Sequence, residues 1–143
     1  MNTLTASSNS NLIQNTLNSL RPLMDLAGRL GLAAIFALAA LNKIQYYEAN
    51  AQFMASGGLP GELLPLVIAF ELIGAIFIAL GFQTRITGLA FAGFSVITAL
   101  LYHNQLSDQI QFLLFFKNIA MAGGFLVLAA NGSGQLSVDA RRR

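Results

Sequence analysis

Three ionisable residues lie inside long apolar stretches of this chain, at Arg29, Glu71 and Lys117. A charge inside hydrocarbon is costly, so such residues commonly mark a ligand site, although a buried pair can also serve only to fix helix register. At a helical rise of about 1.5 Å per residue, Glu71 lies at a depth that a long basic side chain of a neighbouring helix can reach. Arg29 and Lys117 are therefore both within reach of Glu71 if their helices are its neighbours.

Neutral polar residues and one further acid adjoin these three. Asn118 follows Lys117, and His103 ends an apolar stretch, where a wetted interfacial histidine is a simpler interpretation than a proton relay. Asp25 precedes Arg29 by four residues and can share its charge on one helix face. With Asp25 the four residues have no net charge, whereas the three deep residues alone have a net charge of +1, which favours either an anionic or quinone-like ligand or a neutral Lys117. The predicted intramembrane pocket consists of Arg29, Glu71, His103, Lys117 and Asn118.

The composition excludes several kinds of active site. The 143 residues include no cysteine and a single histidine. The chain alone can therefore form no disulfide, iron–sulfur cluster, bis-histidine haem site or multi-histidine metal centre. The sequence also contains no phosphate-binding loop and no nucleophile motif. We expect no metal and no covalently bound cofactor, assign no catalytic residue, and do not expect a self-contained enzyme.

Four apolar runs supply the elements that would hold these residues. Each is 17 to 20 residues long, which as a helix corresponds to about 25–30 Å, close to the hydrocarbon thickness of a bilayer. The sequence therefore predicts an all-α integral membrane protein, with a polar tail at 1–22, a bundle at 23–130 and a basic cytoplasmic tail at 131–143. The four predicted spans are residues 23–41, 63–82, 86–102 and 112–130.

The connections predict how the spans are arranged. Only residues 83–85 separate the second and third spans, which forces these two helices to be antiparallel neighbours. The first connection is longer, and its apolar residues at positions 44, 47, 51 and 54 share one helical face before Gly57, Gly58 and Pro60 end the pattern. We expect an antiparallel four-helix bundle with a short interfacial helix in this first exterior loop.

The amino-terminal residues 1–22 allow two interpretations. They are rich in Asn, Ser and Thr and carry no charge before Arg21, which is typical of a flexible tail. Apolar residues nevertheless recur there at roughly helical spacing, which is typical of an amphipathic turn at a membrane surface. These residues are Leu12, Ile13, Leu17, Leu20 and Met24. The sequence leaves both interpretations open.

The charges of the short connections predict orientation and partners. One side of the bundle carries Arg21, Arg85 and the three arginines at 141–143, whereas the other carries Lys43 as its single base. Basic residues mark the cytoplasmic side, so we expect a multi-pass membrane protein with both termini in the cytoplasm. Because the basic excess is concentrated at the end of the chain, it fits a membrane-flanking tail better than a nucleic-acid groove.

An ordered series of segments between about residues 26 and 140 resembles the DoxX family, in particular its small bacterial inner-membrane members. The segments are Gly28-Arg29, QFMASGGLP at 52–60, ALGFQTR at 79–85, Tyr102-His103, FKNIAMAGG at 116–124 and the residues from Gly132 to Asp139. The chain departs from the family at Ala40–Lys43, where members often have a glycine before the basic residue of the loop.

The resemblance implies a four-helix antiparallel membrane bundle, located in the bacterial inner membrane, but it does not imply one reaction. Relatives are linked to thiosulfate–quinone oxidoreduction and to thiol or oxidative-stress complexes with soluble partners. Three functions therefore stay open: a membrane subunit or anchor of a redox complex with a quinone pocket and a soluble oxidoreductase partner, a small proton-coupled transporter, or a non-catalytic scaffold. The bilayer is the expected environment in each, and a homo-oligomer is compatible with all three.

Overall fold

The computed structural model describes the backbone of residues 2–142 and the side chains of residues 12–142. Within those residues the chain forms helices and no strand. Four of the helices are long and apolar enough to cross a membrane, which confirms the predicted all-α membrane bundle. The helices are α1 (Asn2–Gln45), α2 (Tyr47–Ser56), α3 (Leu64–Leu80), α4 (Thr84–Tyr102), α5 (Gln109–Asn131) and α6 (Val138–Arg141), with a 3₁₀ turn at Gly61–Leu63.

The four long helices form a closed ring. Helix α1 packs against α3, α3 against α4, α4 against α5, and α5 against α1, and the most extensive contacts are those of α1 with α3 and of α4 with α5. Successive long helices run in opposite directions, so every neighbouring pair is antiparallel. The bundle has two ends, which we call the α2 end, with α2 and the connection 103–108, and the α6 end, with α6 and the turn 81–83.

An aromatic cluster fills the middle of the bundle. Phe36, Phe91 and Phe125 are buried and come from α1, α4 and α5. Their ring centroids lie 4.3 Å apart for Phe36 and Phe91, 5.1 Å for Phe91 and Phe125, and 5.5 Å for Phe36 and Phe125. Gly74 of α3 leaves room for Phe91, because a Cβ added at Gly74 would lie 2.5 Å from that ring. This apolar layer separates the polar groups at the two ends.

Side chains from other elements satisfy the backbone at the α6 end. Asp139 of α6 accepts hydrogen bonds from the backbone N–H groups of Gln83 and Thr84, at 2.8 and 3.0 Å, and so caps the start of α4. Arg85 donates to the carbonyl oxygens of Ala129 and Ala130, at 3.3 and 3.0 Å, in the last turn of α5. An acid at a helix start and a base at a helix end both match the helix dipole, so residues 131–142 are tied to the bundle.

Helix α1 differs most from the expectation. It begins at Asn2 and runs without a break through Pro22 to Gln45, whereas the predicted span covers only residues 23–41. Its 44 residues correspond to about 66 Å, roughly twice the hydrocarbon thickness. Residues 2–22 are therefore helical along with the first span, and the side chains of residues 12–20 are exposed. Met1 lies outside the described residues.

The close approach of α3 and α4 at Gly74 gives a stability test. The substitution Gly74→Ala is expected to cost about 1–3 kcal/mol of unfolding free energy, because its methyl group overlaps the buried Phe91 ring. Gly93→Ala on the outer face of α4 is the matched control, since a Cβ there meets nothing within 4 Å. Thermal unfolding in detergent micelles, followed by circular dichroism, compares the two. Equal effects would contradict the described packing.

Candidate functional site

An ion pair between α1 and α3 lies near the α2 end. Glu71 of α3 is only 2% exposed, and its Oε1 lies 2.9 Å from Nζ of Lys43, which donates a hydrogen bond to it. The second oxygen of Glu71, Oε2, is buried and has no hydrogen-bond partner among the described residues. A buried carboxylate with one base attached is the arrangement expected of a charge held away from water.

The partner of Glu71 is therefore Lys43, and not Arg29 or Lys117, the two bases that the sequence placed within its reach. The sequence interpretation placed Lys43 in a loop, whereas α1 continues past it to Gln45. Lys43 thus occupies the last turn of a spanning helix, and its long side chain reaches Glu71. Lys43 is the functional candidate that the sequence interpretation missed. The available signal was that Lys43 is the single base in the connections on the side of the membrane that Glu71 approaches.

Arg29 belongs to the opposite end of the bundle. Its side chain is 1% exposed, and Nη1 donates to the carbonyl oxygens of Ile78 and Ala79, at 3.1 and 3.0 Å, in the last turn of α3. Nη2 donates to the carbonyl oxygen of Leu136 in the tail. The guanidinium therefore caps the carboxyl end of α3, where carbonyl groups lack helical partners. Arg29 is thus removed from the candidate pocket.

The helical rise explains this separation. Arg29 and Lys43 are 14 residues apart on α1, which corresponds to about 21 Å along the helix axis. Because α3 runs antiparallel to α1, its last turn faces Arg29, while Glu71, about two turns earlier, approaches Lys43. One acid could therefore not serve both bases, and the register of the two helices decides which base it meets.

A cavity of about 280 Å³ opens beside the ion pair at the α2 end. Four of the five predicted pocket residues line it, and Lys43 is added to them. Its volume is near the lower limit of the roughly 300–1,000 Å³ typical of small-molecule sites. The polar lining residues are Lys43, Asn50, Glu71, Thr98, His103, Lys117 and Asn118, and aromatic side chains among the rest are Phe36, Phe53, Phe94 and Tyr102.

The remaining polar residues of the cavity differ in how firmly they are held. Asn118 is 8% exposed, and its Nδ2 donates to the carbonyl oxygen of Leu114 one turn earlier, at 2.9 Å. His103 Nδ1 lies 2.8 Å from Oε1 of Gln111, which links the end of α4 to the first turn of α5. Lys117 is exposed and has no ion-pair partner within residues 12–142. Lys117 is therefore the cation of the cavity that is available to a ligand.

Helix α2 packs over one side of the cavity. The ring of Phe53 stacks on that of Tyr102, with centroids 5.0 Å apart and an interplanar angle of 27°. The Tyr102 hydroxyl donates to the carbonyl oxygen of Met54 at 3.5 Å, and Gly57 lies directly against the Tyr102 ring, where any side chain would overlap it. The first connection thus forms the predicted short helix, and that helix contributes Phe53 and Met54 to the cavity wall.

The charges of the cavity leave a net positive site. Lys43 and Lys117 contribute two positive charges and Glu71 one negative charge, which gives +1 when His103 is neutral. In a low-dielectric setting such an excess attracts an anion or the electron-rich oxygen of a carbonyl group. The free Oε2 of Glu71 is in addition an acceptor without a donor. The cavity can therefore hold a small apolar ligand whose polar groups accept a hydrogen bond from Lys117 or donate one to Oε2 of Glu71.

The comparison with known families decides the classification of this bundle. The model of the DoxX family matches residues 24–104. The chain belongs to the DoxX family. The matched residues contain Lys43, Glu71 and His103, whereas Lys117 and Asn118 lie on α5 beyond the match.

Curated relatives in Escherichia coli K12 confirm this membership. The inner membrane protein YqjF is 41% identical over 114 residues, which cover 80% of this chain and 88% of YqjF. The inner membrane protein YphA is 34% identical over 128 residues, 85% of this chain and 91% of YphA. CatD of Bacillus subtilis, whose name describes a candidate oxidoreductase, is 41% identical over 58 residues, 41% of this chain and 43% of CatD. No solved structure matches the chain significantly.

The ion pair can be tested by a double-mutant cycle. We expect Lys43→Met to cost about 2–3 kcal/mol of unfolding free energy, less than the roughly 3–5 kcal/mol of a fully buried pair because Lys43 is 21% exposed. Adding Glu71→Met should restore most of that loss, since no unpaired charge then remains. Lys117→Met is the control and should change stability little. Additive losses in the double variant would show that the pair does not form.

Proposed function

We propose that this DoxX-family protein is a membrane subunit or anchor of a redox complex and that its α2-end cavity holds a quinone-class ring. The observation that carries the proposal is the cavity itself, in which aromatic walls and a free cation, Lys117, adjoin the Lys43–Glu71 pair. The name of CatD, which describes a candidate oxidoreductase, supports the redox assignment. A transporter receives less support, because the acid that would carry its protons is bound to Lys43.

The chemistry of the cavity fits a quinone ring. Phe36, Phe53 and Phe94 offer flat apolar surfaces, on which aromatic rings stack or pack edge to face. Lys117 provides a charged donor for a carbonyl oxygen of the ring, and the backbone bond of Asn118 holds its amide in place beside Lys117. When bound, a quinone accepts two electrons and two protons. The side chains of this protein bind and orient the ring and keep its surroundings dry.

The electrons of such a complex must come from another protein. The chain has no cysteine and a single histidine, so it provides neither a thiol pair, nor both ligands of a bis-histidine haem, nor the ligands of an iron–sulfur cluster. We propose a soluble oxidoreductase as the partner that supplies them. In this arrangement the present chain contributes the membrane anchor and the ring-binding cavity.

We also propose that the α6 end faces the cytoplasm. Arg21, Arg85, Arg141 and Arg142 gather at that end, whereas the α2 end has two bases, Lys117 and Lys43, of which Lys43 is neutralised by Glu71. Excess positive charge favours retention on the cytoplasmic side. The cavity then opens toward the opposite face of the membrane, close to α2.

The quinone assignment predicts saturable binding of decylubiquinone to the purified protein in lipid nanodiscs. Lys117→Met should weaken the affinity about tenfold or more, because a hydrogen bond from a charged donor contributes about 1.5–3 kcal/mol. Leu100→Ala, on the outer face of α4, is the control and should bind like the native protein. Equilibrium dialysis measures the affinity of the native protein and of the two variants. Absence of saturable binding by the native protein would overturn the assignment.

The orientation can be measured by labelling, because the chain has no cysteine of its own. In intact cells, a membrane-impermeant maleimide should label Asn104→Cys at the α2 end and leave Gln135→Cys at the α6 end unlabelled. Both positions are exposed, so after cell lysis both should react. The reverse pattern in intact cells would contradict the proposed orientation.

A further inference from the structure

The amino-terminal half of α1 carries an exposed apolar stripe. Ile13, Leu17, Leu20 and Met24 recur at intervals of four, three and four residues, the spacing of the a and d positions of a coiled coil. Their exposed fractions are 61, 47, 44 and 60%, so no part of the chain within residues 12–142 covers them. We call these four residues the α1 stripe.

The α1 stripe projects beyond the bundle. Arg29 of α1 is level with Ile78 and Ala79 in the last turn of α3, so the residues before about 25 extend past the carboxyl end of α3 and run alongside the tail. Because α1 is continuous with its membrane-spanning part, the stripe cannot lie flat on the bilayer unless the helix breaks. It therefore stands in the headgroup region and in water, where an uncovered apolar stripe is unfavourable.

The opposite face of the same helix is polar and faces the chain itself. Asn18, Arg21 and Asp25 line a cleft shared with residues 131–135 of the tail. A monomeric amphipathic helix would turn its apolar face to the protein and its polar face to water. Here the polar face is the one that lies beside the tail, although Asn18 and Arg21 remain exposed, and the apolar face is left for another molecule.

The same spacing of a and d positions continues into the membrane-spanning part of α1. Ala27, Gly31 and Ala34 occupy its next positions and are exposed, whereas Ala33 and Phe36 on the other side of the helix are buried. A Cβ at Gly31 would meet nothing within 4 Å, so packing within the chain does not require a glycine there, although glycine disfavours helix. Small residues allow two membrane helices to approach closely, which extends the unpartnered face across the lipid boundary.

We propose that a second copy of this chain covers this face, through a parallel pairing of two α1 helices. Both copies insert into the membrane in the same orientation, so a two-fold axis along the membrane normal brings each a or d residue against its equivalent. Between Ile13 and Met24 the one charged residue is Arg21, which lies on the cleft side of the helix, so two identical stripes do not repel each other and offer little to a charged partner. A second α1 also presents an identical face along its whole length, apolar outside the membrane and lined with small residues inside it. This dimer is independent of the proposed redox function.

Disulfide cross-linking of the full chain in lipid vesicles tests the proposal, because the native chain has no cysteine. Leu17→Cys and Met24→Cys should each form a covalent homodimer on mild oxidation, about fivefold or more than the controls Asn15→Cys and Ser19→Cys, since a and d residues face each other in a parallel pair. All four positions are exposed. Equal cross-linking on both faces, or no covalent homodimer of Leu17→Cys and Met24→Cys, would overturn the proposal.

A second measurement does not depend on introduced cysteines. Single-molecule photobleaching in vesicles should find two copies of the native chain per particle and one copy of the double variant Leu17→Glu/Leu20→Glu. Helical content should be unchanged, because these side chains support no contact within the chain. A native protein that is monomeric at the same density, or a double variant that stays dimeric, would contradict the α1 pairing.

Discussion

A charge inside a bilayer must find its partner within the protein, and this constraint orders both ends of the bundle. At the α6 end the guanidinium of Arg29 binds carbonyl groups of α3 and of the tail, so the charge completes helix termini. At the α2 end Lys43 and Glu71 neutralise each other beside a cavity. The phenylalanine cluster around Phe91 lies between the two ends, so the two sets of charges do not mix.

The same constraint separates a structural charge from one available to a ligand. The two Nη atoms of Arg29 are engaged by backbone oxygens of its own chain, and no space beside the side chain is open to another molecule. Lys117 lines the cavity and has no ion-pair partner within residues 12–142. This contrast, more than depth in the membrane, identifies the α2 end as the candidate site. It also indicates that Arg29, in a segment that resembles the family, stabilises the fold and does not bind a ligand.

Much of the fold could be predicted because run length and loop length encode it directly: four spans, their antiparallel order and the short helix α2 follow from where apolar residues stop. The partner of Glu71 could not be predicted, because it depends on the register of α1 against α3 and on the fact that α1 ends only at Gln45. The packing of the tail against the bundle could not be predicted either, because Asp139 meets Gln83 and Thr84 only after the chain has folded. Local composition likewise left residues 1–22 undecided.

The central claim is that the α2-end cavity binds a quinone-class ring, and photoaffinity labelling tests it most directly. The native protein in lipid vesicles would be irradiated with an azido-substituted quinone, with and without excess unlabelled quinone, and the labelled residues would be identified by mass spectrometry. The account predicts labels on cavity residues of α2 and α5, such as Met54 and Met121, and it predicts that excess unlabelled quinone abolishes these labels. Labels confined to lipid-facing residues, or unaffected by the competitor, would contradict it.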